Sequence, residues 1–218
     1  MQRLMRFGVL VMVLATMVGC EDAKKKEAEK APPPKIRTKG EVAGDFQPAY
    51  RPLQDAVAAG QDVPRETGAA IAGALGSAKG KNAAEPNGPD AISQVTSELE
   101  DLVKAANDKQ LWGTVVSACD ALAAMDPSSP KVARYKDKAI LQLNRPVVKI
   151  TASTKIGDGK TVFFFDVFLP DKNKTESQKV SVGDEFCGLR FVEVIGNDEG
   201  VKLEYKAVGD TFDVKRPK

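Results

Sequence analysis

Few side chains in this 218-residue chain could do chemistry, and one type is missing outright: there is no histidine. That removes the commonest general base, the usual nitrogen ligand for metals and the side chain that ordinarily titrates near neutral pH. Three cysteines remain, Cys20, Cys119 and Cys187. They stand far apart with no CxxC spacing, so neither a zinc site nor a redox dithiol is indicated. Cys119 falls on the apolar face of a predicted helix and reads as a small buried hydrophobe. Cys187 lies beside Gly188 in a strand or turn. A disulfide between these two stays open, because sequence does not reveal the geometry that a disulfide demands. The acidic pairs Asp184-Glu185 and Asp198-Glu199 sit in predicted turns, and Glu98, Glu100 and Asp101 on a solvated helix face. Neither arrangement makes a general acid and base. No catalytic, cofactor-binding or metal-binding residue is expected, and no enzymatic activity.

Two partner classes are excluded on similar grounds. The charge is nearly balanced, +2 from 32 basic and 30 acidic residues, with no basic, aromatic-interleaved surface for nucleic acid. "GDGKT" at 157–161 shares its residues with the tail of a phosphate-binding loop. Thr154 stands where that motif needs its first glycine, however, and Val162-Phe163-Phe164-Phe165 reads as a strand where the motif needs a helix. A hairpin turn explains these residues, and no nucleotide is expected.

Cys20 is the exception to this chemical silence. Arg3 and Arg6 precede an apolar run from Phe7 to Val18, broken only by Gly8 and Thr16. The run is short of the roughly 20 apolar residues that span a bilayer, and it has the layout of a secretory signal. It ends in Met17-Val18-Gly19-Cys20, which resembles the bacterial lipobox. The resemblance implies removal of residues 1–19, a diacylglycerol on the Cys20 thiol and attachment to a membrane on its periplasmic side. It does not distinguish the inner membrane from the outer. An ordinary signal peptide with an incidental cysteine, and an uncleaved anchor, are the other readings. Each buried methylene contributes about 0.8 kcal/mol, so two or more acyl chains hold stably.

Residues 20–89 are expected to form a disordered tether. "KKKEAEKAPPPK" is charged and proline-rich and has almost nothing to bury. Further on, Gly60, Gly68, Gly73, Gly76 and Gly80 interrupt stretches that could otherwise be short helices.

A helical module is expected over 90–145. Ile92, Val95, Leu99, Leu102, Val103 and Ala106 recur at three- and four-residue steps, with Asp90 as a possible cap. A second stripe runs through Leu111, Trp112, Val115, Cys119, Leu122 and Ala123, ending at Asp126-Pro127. Ser129 and Pro130 open a third helix, which Pro146 ends. The stretch 112–143 resembles one tetratricopeptide unit, with Trp112, Ala118 and Pro127 in the family's places and Gly113-Thr114 departing from its leucine-glycine pair. One such unit has an open apolar face, which the following domain or a partner would have to cover.

After Pro146 the period becomes two. Residues 147–218 read as six short strands with turns at 157–159, 197–200 and 209–210. The prediction is a compact antiparallel sandwich or barrel, giving an α+β chain overall. The run "KVSVGDEFCGLRFVEVIGNDEGVKLEY" resembles the small β domain of pilus-assembly lipoproteins of the PilP type and of related type II secretion components. Val182-Gly183-Asp184, Gly188, Val194-Ile195 and Val201-Leu203-Tyr205 carry that resemblance. Its strands supply the expected partner-binding positions, Val180, Val182, Phe191, Val201 and Leu203.

The expected function is therefore that of a lipid-anchored scaffolding component of a cell-envelope assembly, with the membrane and other envelope proteins as partners. An envelope lipoprotein whose β domain binds a ligand is the alternative, and an enzyme the second. Acylation of Cys20 makes one sharp prediction. The native protein stays with the membrane in high salt and leaves it in detergent, whereas Cys20→Ala does not remain membrane-bound at the mature size. Recovery of that variant in the membrane fraction at unchanged mass would refute the acylation.

Overall fold

The computed structural model describes residues 35–157 and 160–217. Residues 36–218 make up one compact unit with two halves, six helices and then seven strands. The helices are α1 (Lys39–Gly44), α2 (Gln47–Ala59), α3 (Thr67–Asn82), α4 (Gly88–Asp108), α5 (Trp112–Met125) and α6 (Pro130–Leu143). Among the described residues no helix is long and apolar enough to cross a membrane. Cys20 and the apolar run before it lie outside the described residues.

From Lys39 on, the first three helices correct the expectation of disorder up to residue 89, whereas residues 20–34 of the expected tether lie outside the described residues. Thr38 starts α1 with a reciprocal cap: Glu41 N–H donates to Thr38 Oγ1 at 3.3 Å, and Thr38 N–H to Glu41 Oε2 at 2.7 Å. Phe46, Tyr50, Leu53 and Val57 then follow at helical steps and are all buried, as are Ile71 and Leu75 on α3. Burying one such side chain gains about 1.5–3 kcal/mol, whereas a glycine inside a helix costs at most about 1 kcal/mol. Tertiary burial therefore outweighs propensity. Pro48 sits in the first turn of α2, where its missing N–H has no helical partner to lose. Gly68 is also needed in its own right, because a Cβ there would lie 2.9 Å from Ser117 Cα where α3 crosses α5.

α4 and α6 appear where the periodicity predicts them. The start of α4 is corrected: Asn87 is its N-cap and Asp90 lies inside the first turn. α5 differs more. Val115, Val116, Ala118, Cys119, Ala121 and Leu122 are all buried, since α3, α4 and α6 surround this helix. The face expected to lie open is thus covered by the chain's own α2 and α3. Gly113 and Thr114, the residues that depart from the tetratricopeptide pattern, make that cover fit. The Asp62 carboxylate, from the loop between α2 and α3, accepts hydrogen bonds from Gly113 N–H (3.0 Å), Thr114 N–H (2.7 Å) and Thr114 Oγ1 (2.8 Å). It caps an N-terminus that has no cap of its own, and its charge complements the helix dipole. A Cβ on Gly113 would stand 2.2 Å from the Val63 carbonyl oxygen.

The strands are β1 (Val147–Ile156), β2 (Lys160–Leu169), β3 (Lys174–Val180), β4 (Glu185–Phe186), β5 (Leu189–Ile195), β6 (Gly200–Tyr205) and β7 (Asp210–Lys215). They form two open antiparallel sheets, ordered β1-β2-β3 and β4-β5-β6-β7, as expected of the sandwich alternative and not of a closed barrel. Inward residues of both sheets share one core: Phe163 meets Phe191 edge-on with centroids 5.4 Å apart, and Phe165 packs on Phe186 at the same distance. β1 and β2 pair as an antiparallel hairpin, as expected, with Ile156 opposite Lys160; Asp158 and Gly159 lie outside the described residues.

Only Asn144, Arg145 and Pro146 separate α6 from β1. The halves meet directly there. Gln142 Nε2 donates to Asp210 Oδ2 at 2.5 Å, the Tyr205 hydroxyl to the Leu141 carbonyl at 3.2 Å, and the Arg145 guanidinium lies 4.5 Å from the Phe212 ring centroid.

The glycines of α3 and α5 separate two roles. Gly73, Gly76 and Gly80 have open space where a Cβ would stand, so changing each to alanine raises the unfolding free energy by about 0.5–1 kcal/mol. Gly113→Ala lowers it by about 2 kcal/mol. Urea unfolding followed by circular dichroism checks both signs; a neutral Gly113→Ala would contradict the close fit of the loop.

Candidate functional site

Along β2 successive side chains point to opposite faces. Phe163, Phe165, Val167 and Leu169 enter the shared core, so Val162, Phe164, Asp166 and Phe168 lie on the other face, with Phe164 exposed, Asp166 and Phe168 half-buried and Val162 buried. The register extends them into rows across the three-stranded sheet. Val147, Phe168 and Thr175 form one row, Lys149, Asp166 and Ser177 the next, and Ala152, Phe164 and Lys179 the third. Val147 is 61% exposed, Ile156 48% and Phe164 36%. A register shift between Ile150 and Ala152 bulges β1 beside Phe164, where Thr151 Oγ1 donates to the Phe164 carbonyl at 2.9 Å. The bulge leaves a depression of about 470 Å³ bounded by Thr151, Ala152, Phe164, Ser177 and Lys179.

The outward face of the four-stranded sheet is unlike this. Its opposed positions are Arg190 with Glu204 and Glu193 with Lys202 and Asp213. Lys202 donates to Glu193, and Lys206 pairs with Glu185 at 2.5 Å. Cross-strand charges of opposite sign make a solvated surface. The two outer faces of one module therefore differ, one exposing Val147, Ile156 and Phe164 among polar side chains and the other carrying cross-strand charge pairs.

A second concavity, of about 550 Å³, lies where the halves meet, with Leu141 and Asn144 on one side and Glu176, Gln178, Cys187 and Tyr205 on the other. Cys187 has φ +48°, and its Sγ lies 3.7 Å from both Gln178 Nε2 and a Glu176 carboxylate oxygen. Burial first, and then the Glu176 charge, raise its thiol pKa. Lys174 hydrogen-bonds Glu176 and holds its carboxyl below the usual range, so Glu176 is a carboxylate rather than a proton donor. Cys119, buried in α5, is pushed up to about 12 by burial and the neighbouring Asp120. Both cysteines are free thiols. Among the described residues no group of three or more acidic or cysteine side chains is gathered for a metal.

The partner-binding positions read from sequence need correction. Phe191, Val201 and Leu203 are fully buried, and Val180 is 4% exposed. β5 and β6 are the inner strands of their sheet, so their apolar side chains fill the shared core instead of meeting a partner. Only Val182, 52% exposed in the loop after β3, is at the surface. Sequence reasoning missed Phe164, although a signal existed: three consecutive phenylalanines in a strand cannot all face inward.

Compared with known proteins, the chain matches no family model, no curated protein and no solved structure.

The thiol environments predict slow chemistry, since the thiolate is the nucleophile and both groups hold their protons at neutral pH. In the native protein at pH 7.5 an alkylating reagent modifies Cys187 several-fold more slowly than free cysteine, and Cys119 only after unfolding. Rapid stoichiometric labelling of either residue, followed by intact mass, would contradict these environments.

Proposed function

We propose that the protein is a lipid-anchored, periplasm-facing bacterial lipoprotein that binds other proteins within a cell-envelope assembly, without catalytic turnover. The observation that carries the reading is the exposed apolar face around Val147, Ala152, Phe164 and Phe168, on a module whose opposite face is charge-paired. A solvated sheet ordinarily alternates apolar inside with polar outside, and a concentrated apolar exception marks an interaction surface. The lipobox-like Met17-Val18-Gly19-Cys20 supports the anchor and the compartment. The six helices support a rigid mount for the face, because α6 runs into β1 with little intervening chain.

The specific version is a pilus- or secretion-type assembly. Its support is the PilP-like strand and turn pattern over 180–205, placed after an acylated cysteine and a proline-containing segment. The tetratricopeptide-like pair α5 and α6 serves in this reading as part of the mount, since α2 and α3 cover α5. A ligand-binding role for the β module is the second reading, and the roughly 550 Å³ groove beside Cys187 favours it.

The test compares Phe164→Ser with the natural protein. Both are crosslinked in intact cells and purified from detergent-solubilised envelopes. Losing the exposed ring lowers recovery of co-purifying secretin or inner-membrane pilus proteins by about tenfold, as expected of one aromatic anchor at an interface. The variant's thermal unfolding stays within about 3 °C of the natural protein's, because the ring is outside the core. Undiminished recovery of the same partners would exclude this face as their binding surface.

A further inference from the structure

The face around Phe164 is electrically unbalanced as well as apolar. Residues 147–180 carry six lysines against four acidic residues, whereas 181–217 carry five basic residues against eight acidic. On the outward face of the three-stranded sheet the imbalance is local. Lys149 and Lys179 form no ion pair or hydrogen bond among the described residues. Asp166, directly opposite Lys149 in the register and on the edge of the same depression, accepts from Ser177 Oγ at 2.8 Å. Elsewhere in the module three lysines are held: Lys174 by Glu176, Lys202 by Glu193 and Lys206 by Glu185.

Resting on the protein-binding reading above, we propose that this face docks an acidic segment of a partner protein. In that complex an apolar side chain of the segment sits in the depression between Ala152 and Phe164, and carboxylates on either side of it meet Lys149 and Lys179. Three features select this occupant. The shallow depression of about 470 Å³ has room for a side chain of a docked segment beside Phe164. Lys179 shares the row of Ala152 and Phe164 and Lys149 stands in the next, so two carboxylates bracketing one apolar residue satisfy both at once. A second copy bound through the same face would set these lysines against their own counterparts, and like charges in contact oppose that arrangement.

The experiment uses the full-length lipidated protein in its native envelope, with a photo-crosslinking residue in place of the exposed Ala152. Crosslinked peptides are sequenced by mass spectrometry. The expected adduct is a segment of another protein with acidic residues within a few positions of an apolar crosslinked residue. Its yield falls roughly five- to tenfold when Lys149→Gln and Lys179→Gln are combined, as for two exposed charge pairs. It falls again when salt is raised from about 0.1 to 0.5 M. Adducts only to lipid, to a second copy of this chain or to a segment without acidic residues overturn the proposal, as does a yield that the two lysine changes leave unmoved. An unchanged unfolding transition in the double variant separates lost docking from lost fold. Crosslinkers at the exposed Thr211 and Asp137 serve as controls. Protein adducts there, with Ala152 silent, overturn this inference and leave the protein-binding reading standing. Silence at all three positions overturns both.

Discussion

A β-strand cannot send three consecutive rings to one side, and that constraint shapes the whole C-terminal half. In β2 it drives Phe163 and Phe165 into the gap between the sheets, where they meet Phe186 and Phe191, and it leaves Phe164 outside. A shift of the register by one residue would exchange the two sets, putting Asp166 into the core and Phe163, Phe165, Val167 and Leu169 outside. The pairing of β2 with both neighbours is therefore fixed by the same residues that expose Phe164. The core and the apolar outer face have a common cause, and one cannot be altered freely without the other.

The helical half rests on a comparable coupling around α5. This helix is buried on most sides, so its N-terminus has little access to water to satisfy the free N–H groups there. Asp62 satisfies two of them from another part of the chain, and Thr114 ties the same loop back through its hydroxyl, which also accepts from Val63 N–H at 3.1 Å. Lysines do the same for the opposite ends: Lys79 donates to the Met125 carbonyl at 2.7 Å, and Lys109 to the Val57 carbonyl at 2.6 Å. The helices are thus closed by groups distant in sequence.

That distance decides what the sequence could reveal. α4, α5 and α6 and the strands were legible because their signals are local: a three-to-four step, a period of two, and turns carrying glycine at Gly196 and Gly209. α1, α2 and α3 were not, because their glycines and prolines signal breakage locally while the compensating burial comes from α4 and α5. The covered face of α5 was misjudged for the same reason. Strand order also escaped. Nothing in the apolar alternation of Val201 and Leu203 tells an inner strand from an edge, so residues of the core were read as a binding surface. Phe164 was within reach, since alternation alone places it outside once Phe163 and Phe165 are inside. The lone lysines beside it were not, because whether Lys149 and Lys179 are paired depends on a register that only the folded sheets define.

The joint between the halves gives the apolar face its mechanical setting. Asn144, Arg145 and Pro146 leave little chain to flex, and Pro146 is buried. Gln142, Leu141 and Arg145 then engage Asp210, Tyr205 and Phe212 on β6, β7 and the turn into it. At the other end of the described chain Arg37 is gripped in turn. It donates to Asp45 at 2.7 Å, to Glu85 at 2.9 Å and to the Glu41 carbonyl at 3.0 Å, while Asn87 donates to the Arg37 carbonyl at 2.6 Å. A pull on the chain ahead of Arg37 is therefore taken up first by α1 and the loop between α3 and α4. From there it passes through packed helices to α6 and across the joint, with no long flexible segment to absorb it. Each contact at the joint is modest on its own, an exposed or half-buried hydrogen bond or a cation over a ring. Together they tie α6 and the link after it to β6 and β7, so the halves are held by side-chain contacts as well as by the short connection through Pro146.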